Sequence, residues 1–208
     1  MRLLELFSGT GSVGAVAKKL HWDVVSLDLK DADINCDILE WDYEQYPKCY
    51  FDFVWASPPC TEYSIAKQTG VRKIDYANRI VLKTLEIIDY FNPKIWIIEN
   101  PQTGLLKKQP FMRDLAFYDV DYCKYGMPYR KRTRLWSNLK GWKPKPLCKK
   151  DCGMMNGNRH KETAQRAPSN SKETWSDNYT LFKQNDLYRI PHELVEDVLK
   201  AVGIVCFG

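Results

Sequence analysis

Leu3-Leu4-Glu5-Leu6-Phe7-Ser8-Gly9-Thr10-Gly11-Ser12-Val13-Gly14 decides the fold. The first five residues form a mostly apolar strand candidate, and Ala15-Val16-Ala17-Lys18-Lys19-Leu20 beyond the glycines reads as helix. Strand, G-x-G-x-x-G, helix is the context of a nucleotide-type cofactor loop: glycines let a ligand approach the backbone, and the helix N-terminus offers free N–H groups. Val24-Val25-Ser26-Leu27-Asp28 predicts a second strand ending in an acid, placed to accept ribose hydroxyls. Both NAD and S-adenosylmethionine suit such a loop. Asp37, in Asn35-Cys36-Asp37-Ile38, would lie off a third strand end, where it could accept from an adenine amino group while Ile38 packs on the ring; it reads equally as a helix cap.

Farther along, Tyr50-Phe51-Asp52-Phe53-Val54-Trp55 predicts a buried strand. Ser57-Pro58-Pro59-Cys60 stops it, because proline lacks an N–H and restricts the residue before it. A thiol just past a strand end faces the crevice where open α/β sheets bind ligands. Thr69 to Asp75 is polar and reads as a mobile loop over that crevice, followed by a helix from Tyr76 to Phe91 that Asn92-Pro93 ends. Lys94-Ile95-Trp96-Ile97-Ile98 is a further buried strand and delivers Glu99-Asn100-Pro101 at its end. A carboxylate and a thiol at adjacent strand ends form a catalytic pairing, although Glu99 also suits a helix cap. Another strand is predicted at Phe117–Cys123, and Arg130, Arg132 and Arg134 share one face if Arg130–Asn138 is a strand of period two. Such a face suits phosphate or a carbonyl oxygen, or a solvated edge strand.

Bulk properties agree with an ordinary globular chain. Its 208 residues suffice for one domain with a small appendage, and 44% hydrophobic and 27% charged residues are unexceptional. A net charge of +5 permits a nucleic-acid partner without requiring one. No apolar run reaches membrane-spanning length, the early first strand leaves no room for a signal peptide, and seven scattered cysteines fit a reducing compartment. The expectation is therefore an intracellular protein, in the cytoplasm or wherever the nucleic acid lies, the nucleus included, with no membrane partner.

In motif order and spacing, Phe7-Ser8-Gly9-Thr10-Gly11, Pro59-Cys60 with Ser64, Glu99-Asn100 and Arg132-Thr133-Arg134 together resemble the DNA (cytosine-5) methyltransferase family. The resemblance covers roughly residues 3 to 138. It implies an α/β, Rossmann-like, S-adenosylmethionine-dependent methyltransferase fold with a mostly parallel central sheet. It also implies Cys60 as the nucleophile on cytosine C6, Glu99 at N3, Arg134 at O2, and Arg132 supporting the site or a flanking phosphate. The cofactor would be held by Phe7, Ser8, Gly9, Thr10, Gly11, Asp28, Leu29, Asp37, Ile38 and Pro59. The substrate implied first is cytosine in DNA. Cytosine in RNA is the nearest alternative, and an inactive nucleic-acid-binding module is the reading from another class.

Three departures stand out. Pro101 replaces the family's usual valine, Arg130 its usual glutamine, and no Gly-Asn-Ser-Val motif occurs near the end. Only about 50 residues lie between Asn138 and the last predicted helix, fewer than a typical domain, so a full target-recognition domain is missing. Specificity would then come from a protein partner, from self-association, or from a short loose contact. The organisation expected is a catalytic domain over 1–138, a basic loop-rich appendage over 139–185, and a C-terminal segment over 186–208 whose helix, His192 to Val202, packs beside the first strand. Within the appendage, Cys148, Cys152 and His160 are spaced like zinc ligands, with Cys123 as a fourth.

Overall fold

The computed structural model describes residues 1–67, 69–164 and 187–207. Seven strands form one sheet in the order β3-β2-β1-β4-β5-β7-β6. These are β1 (Arg2–Leu6), β2 (Asp23–Asp28), β3 (Ile34–Asn35), β4 (Phe53–Ala56), β5 (Ile95–Pro101), β6 (Phe117–Asp121) and β7 (Arg132–Ser137). β7 runs antiparallel between β5 and β6, whereas the pairings among β1 to β5 are parallel. The architecture is thus the mostly parallel, Rossmann-like α/β sheet that the strand–glycine loop–helix pattern predicts.

Side-chain alternation divides the core into two layers. Leu3, Phe53, Trp55, Ile97, Val120 and Leu135 face one side, where α1 (Ser12–Lys19) and α3 (His192–Phe207) cover them. Leu4, Leu6, Val54, Ala56, Ile98 and Trp136 face the other, under α2 (Ile74–Phe91). α2 buries Ala77, Ile80, Val81, Thr84, Ile87, Ile88 and Phe91, a stripe at three- and four-residue spacing. It ends where Asn92 turns left-handed at φ 43°, ahead of Pro93.

α3 lies where the C-terminal helix is expected. Leu194, Val195, Val198, Leu199 and Val202 are buried against Leu3, Val13, Val16 and Ala17, and Ile190 N–H donates to Ser12 Oγ at 3.3 Å. Asp197 on α3 accepts from Trp142 Nε1 (3.2 Å), and Leu139 and Trp142 are themselves buried in this layer. The appendage therefore begins as packed core rather than as free loop. Its described remainder carries one hairpin, β8 (Met155–Asn156) with β9 (Arg159–His160). Residues 165–185 of that appendage lie outside the described residues. No described helix is long and apolar enough to cross a membrane.

Candidate active site

β4 and β5 lie side by side in parallel, with Ala56 opposite Ile98, so Ser57-Pro58-Pro59-Cys60 and Glu99-Asn100 leave the same edge of the sheet. The proline loop is tied down from several directions. Ser57 N–H donates to Leu6 O (3.1 Å), and Trp55 Nε1 donates to Ser57 Oγ (3.1 Å). Asn100 Nδ2 donates to Pro58 O at 2.8 Å, and Tyr63 N–H to Cys60 O at 3.1 Å. A buried carbonyl in a segment that cannot join a ladder needs a donor from elsewhere, and Asn100 provides it. The expected mobile loop over the site is instead stitched to its neighbours. Arg72 donates to the carbonyls of Glu62, Ser64 and Lys67 at 3.0, 2.7 and 2.8 Å, while Glu62 binds Lys67 Nζ and Lys73 N–H.

Cys60 is partly buried, and burial pushes its thiol up from the ordinary value; the Lys131 cation pulls it down and the nearby Glu99 pushes it up. Glu99 is buried, and Tyr122 Oη donates to its Oε1 at 2.9 Å. Tyr122 has no exposed surface, so burial, with the Glu99 charge behind it, drives its phenol well above the usual range. Lys131 lies over the Tyr122 ring, with Nζ 5.0 Å from the centroid, and donates to Leu187 O at 3.2 Å. Cys60, Glu99, Tyr122 and Lys131 thus form one constellation.

Arg132 and Arg134 do not join it. Arg134 forms a two-pronged pair with Asp119 (2.7 and 2.9 Å), and Arg132 forms one with Asp121 (3.0 and 2.7 Å). Asp119 and Asp121 are the direct cross-strand partners of these arginines on β6. Alternation places Arg132 and Arg134 on the face of Trp136, whereas Glu99 follows Ile97 on the opposite face. Arginine is expected at the thiol and at the base carbonyl; here both guanidiniums are held by carboxylates of β6, and the cation that pulls the Cys60 thiol down is Lys131. Two acids spaced by two in Asp119-Val120-Asp121 and two arginines spaced by two in Arg132-Thr133-Arg134 are complementary combs, a signal legible once the strands are known to pair.

The expected cofactor residues gather at the carboxyl ends of β1, β2 and β3 and beside the β4 loop. Phe7, Gly9 and Gly11 adopt positive φ (58°, 51° and 64°), which turns the chain sharply off β1. Ser8 N–H reaches Leu27 O (3.2 Å), and Thr10 Oγ1 and Ser12 Oγ lie 2.8 Å apart. Asp28 accepts from Gly9 N–H (2.8 Å) and Leu29 N–H (2.7 Å), which fixes its carboxylate with lone pairs to spare. Leu29 is 72% exposed, an apolar surface beside that acid, while Ile38 is buried. Asp37 accepts from Leu39 N–H (2.9 Å) through Oδ1 at the start of a turn rather than of a helix, which leaves Oδ2 to offer a ligand. Pro59 is exposed on the neighbouring loop. An anchored acid, an open apolar side chain and a glycine turn with no Cβ in the way suit a nucleoside-bearing cofactor.

The start of α1 behaves differently from the expectation. Val13 and Gly14 N–H donate to the buried Glu5 carboxylate at 3.2 and 2.9 Å, so the helix N-terminus serves the chain's own acid. Burial raises Glu5 to about pKa 7 despite those two bonds. A Cβ at Gly14 would stand 2.5 Å from Glu5 Oε2 and 3.1 Å from Val24 Cγ1, so a larger residue would push the carboxylate aside. A cleft of about 460 Å³ opens beside this carboxylate, lined by Lys18, Ser26 and Asp33; it touches Ser8 and Gly11 but not Asp28, Asp37 or Pro59.

Just past the end of β6, Cys123, with Cys148, Cys152 and His160 from farther along the chain, brings together four ligand atoms that all lie within 4.8 Å of one another.

Residues 1–112 match the family model described as C-5 cytosine-specific DNA methylase. A frog virus 3 (isolate Goorha) protein named "Probable DNA (cytosine-5)-methyltransferase" is 40% identical, the match covering 76% of this chain and 80% of that protein. Among solved structures, a "putative DNA modification methyltransferase encoded within prophage" from E. coli aligns with a TM-score of 0.53 at 16% identity, covering 71% of this chain and 52% of that one. The S. pombe Dnmt2 methyltransferase aligns with a TM-score of 0.51 at 18% identity, covering 69% and 53%. The chain therefore spans about half the length of these structural relatives, which at such identities share its fold.

Proposed function

The chain belongs to the C-5 cytosine-specific DNA methylase family, and from that premise we propose that it transfers a methyl group from S-adenosylmethionine to C5 of cytosine in DNA by way of a covalent Cys60 adduct. The observation that carries this reading is the pairing of Cys60 and Glu99 at the ends of the adjacent parallel strands β4 and β5. Cytosine C5 is too weak a nucleophile to take a methyl group unaided. Addition of the Cys60 sulfur to C6 forms the S–C6 bond and moves the C5=C6 electron pair toward C5, while Glu99 shares a proton with N3. Once C5 holds the methyl group and the donor is left as the neutral thioether S-adenosylhomocysteine, a water molecule takes the C5 proton, that C–H electron pair restores C5=C6, and the S–C6 bond breaks to release the thiolate.

S-adenosylmethionine, when bound, supplies an electrophilic sulfonium methyl; Phe7, Ser8, Gly9, Thr10, Gly11, Asp28, Leu29, Asp37, Ile38 and Pro59 are the residues that would hold it. Lys131 favours the thiolate of an otherwise raised Cys60. Tyr122 acts as a positioning residue, holding Glu99 through one oxygen and leaving the other for the base. Arg132 and Arg134 clamp β7 to β6, and the O2 contact expected of Arg134 would require it to leave Asp119. Because C5 and C6 lie inside the stack of a duplex, the cytosine is flipped out or already single-stranded. Exposed Lys140, Lys143, Lys149, Lys150, Arg159 and Lys161 offer phosphate contacts nearby in the chain.

The test is transfer of labelled methyl from S-adenosylmethionine to duplex DNA, single-stranded DNA and RNA in parallel. Label in DNA cytosine is the expected result. Label in RNA alone would move the substrate, and label in none, with S-adenosylmethionine bound, would favour a non-catalytic module.

Two further outcomes follow from this constellation. Lys131→Met removes the charge that most offsets burial and Glu99, so the thiol rises further and alkylates more slowly at neutral pH, its midpoint moving to higher pH. Iodoacetamide labelling of the Cys60 peptide, followed by mass spectrometry across pH, reads this directly; an unmoved midpoint removes Lys131 from the site. Tyr122→Phe loses one hydrogen bond to a carboxylate, worth about 1.5–3 kcal/mol, so kcat falls roughly 10- to 100-fold. KM for DNA stays near its original value, because Tyr122 is buried away from any ligand. A fall carried by KM instead would assign Tyr122 to binding.

A further inference from the structure

Cys123, Cys148, Cys152 and His160 come from three separate pieces of chain. Cys123 lies in the turn after β6, Cys148 and Cys152 in a tight turn of the appendage, and His160 on the β8–β9 hairpin. Their ligand atoms nonetheless all lie within 4.8 Å of one another, and Cys148 Sγ is 3.5 Å from His160 Nε2. Donors around a tetrahedral zinc ion, with Zn–S bonds of about 2.3 Å, stand about 3.7 Å apart. None of the three cysteines is in a disulfide.

The surrounding chain is shaped for sulfur as a ligand. Lys150 takes a left-handed φ of 70°, and its N–H donates to Cys148 Sγ at 3.3 Å; Gly153 turns at φ 72° just after Cys152. Backbone donors to a ligating sulfur are the usual outer support of a thiolate–metal site. Cys123 and Cys148 are buried, while Cys152 and His160 are partly buried. Three thiolates and one imidazole on Zn²⁺ leave a single net negative charge, and Lys124, next in the chain to Cys123, pairs with Asp151, next to Cys152, at 2.8 Å.

We propose that Cys123, Cys148, Cys152 and His160 bind one structural Zn²⁺ ion that fastens the basic appendage to the end of β6. Four protein ligands close the coordination sphere, so the ion holds structure and takes no substrate. The fastening lies next to the constellation above. Cys123 directly follows Tyr122, whose hydroxyl holds Glu99. Cys148 N–H donates to Asp121 Oδ2 at 2.9 Å, and the same carboxylate grips Arg132. The ion thereby unites the phosphate-facing lysines and the Glu99 support in one rigid piece, a role that stands whether the substrate is DNA or RNA.

The test uses the full chain, purified without a metal-binding tag in metal-free buffer, with zinc measured by inductively coupled plasma mass spectrometry. One zinc per chain is expected, falling to a small fraction of that in Cys148→Ser/Cys152→Ser. His160→Ala loses the ion as well, whereas His160→Cys, which restores a fourth ligand, retains it; this contrast separates ligation from misfolding. Co²⁺ exchanged into the native chain should give the intense visible bands of a tetrahedral thiolate site, with sulfur-to-metal charge transfer. Zinc well below one per chain, Co²⁺ spectra unchanged by His160→Ala, or a disulfide between any two of these cysteines in freshly reduced protein would overturn the assignment.

Discussion

The Cys60→Ala protein transfers no labelled methyl group to DNA above background, a loss on the order of 10⁴-fold or more when a covalent nucleophile is removed. Folding and ligand binding survive, because the side chain is not what holds the loop: Asn100 holds Pro58 O, Leu6 O holds Ser57 N–H, and Cys60 itself is tied through its backbone carbonyl. The loss therefore appears in single-turnover chemistry rather than in affinity for S-adenosylmethionine or DNA. A second readout isolates the covalent step. DNA carrying 5-fluorocytosine cannot lose a proton from C5, so the native protein should remain attached through denaturing electrophoresis and the Cys60→Ala protein should not. Undiminished transfer by Cys60→Ala would refute the nucleophile assignment.

Glu99→Gln lowers kcat by about 10²- to 10⁴-fold, the range for removing a positioned proton-sharing group. The amide is nearly the same size and can still accept from Tyr122, so the buried pocket around Oε1 keeps its shape. Quench-flow measurement of adduct formation should show the deficit at sulfur addition, with DNA affinity retained in a binding assay. If adduct formation keeps its native rate, Glu99 does not act at N3. The double variant Cys60→Ala/Glu99→Gln should be no worse than Cys60→Ala alone, since the two groups serve one step and their effects do not add.

Much of this frame was legible in the sequence because the deciding segments are local. Leu3–Leu6, Val24–Asp28 and Ile95–Ile98 are short, mostly apolar runs, the last two delivering Asp28 and Glu99 at their ends, and the structure makes strands of all three. The prolines before Cys60 stop β4 where expected. What was not legible depends on neighbours far along the chain. Nothing in Arg132-Thr133-Arg134 reveals that β7 inserts antiparallel between β5 and β6, yet that insertion delivers both arginines to Asp119 and Asp121. The same alternation turns Lys131, which carries no motif, toward Cys60. Glu5 read as one more residue of an apolar strand, and only the packing of α1 shows it taking the helix amides expected for a ligand. In the sequence Asn100 is only the second residue of Glu99-Asn100; its bond to Pro58 O gives it a physical task.

The position of α3 has a consequence for how the molecule is made. Leu3, Val13, Val16 and Ala17 leave the ribosome long before the side chains that cover them, Leu194 to Val202. Until synthesis reaches them, one side of the nascent sheet is bare and greasy, a natural surface for chaperones to hold. Closure of the interior thus waits for the synthesis of α3, and a ribosome stalled before that helix would release a chain that has its chemistry encoded but no closed interior.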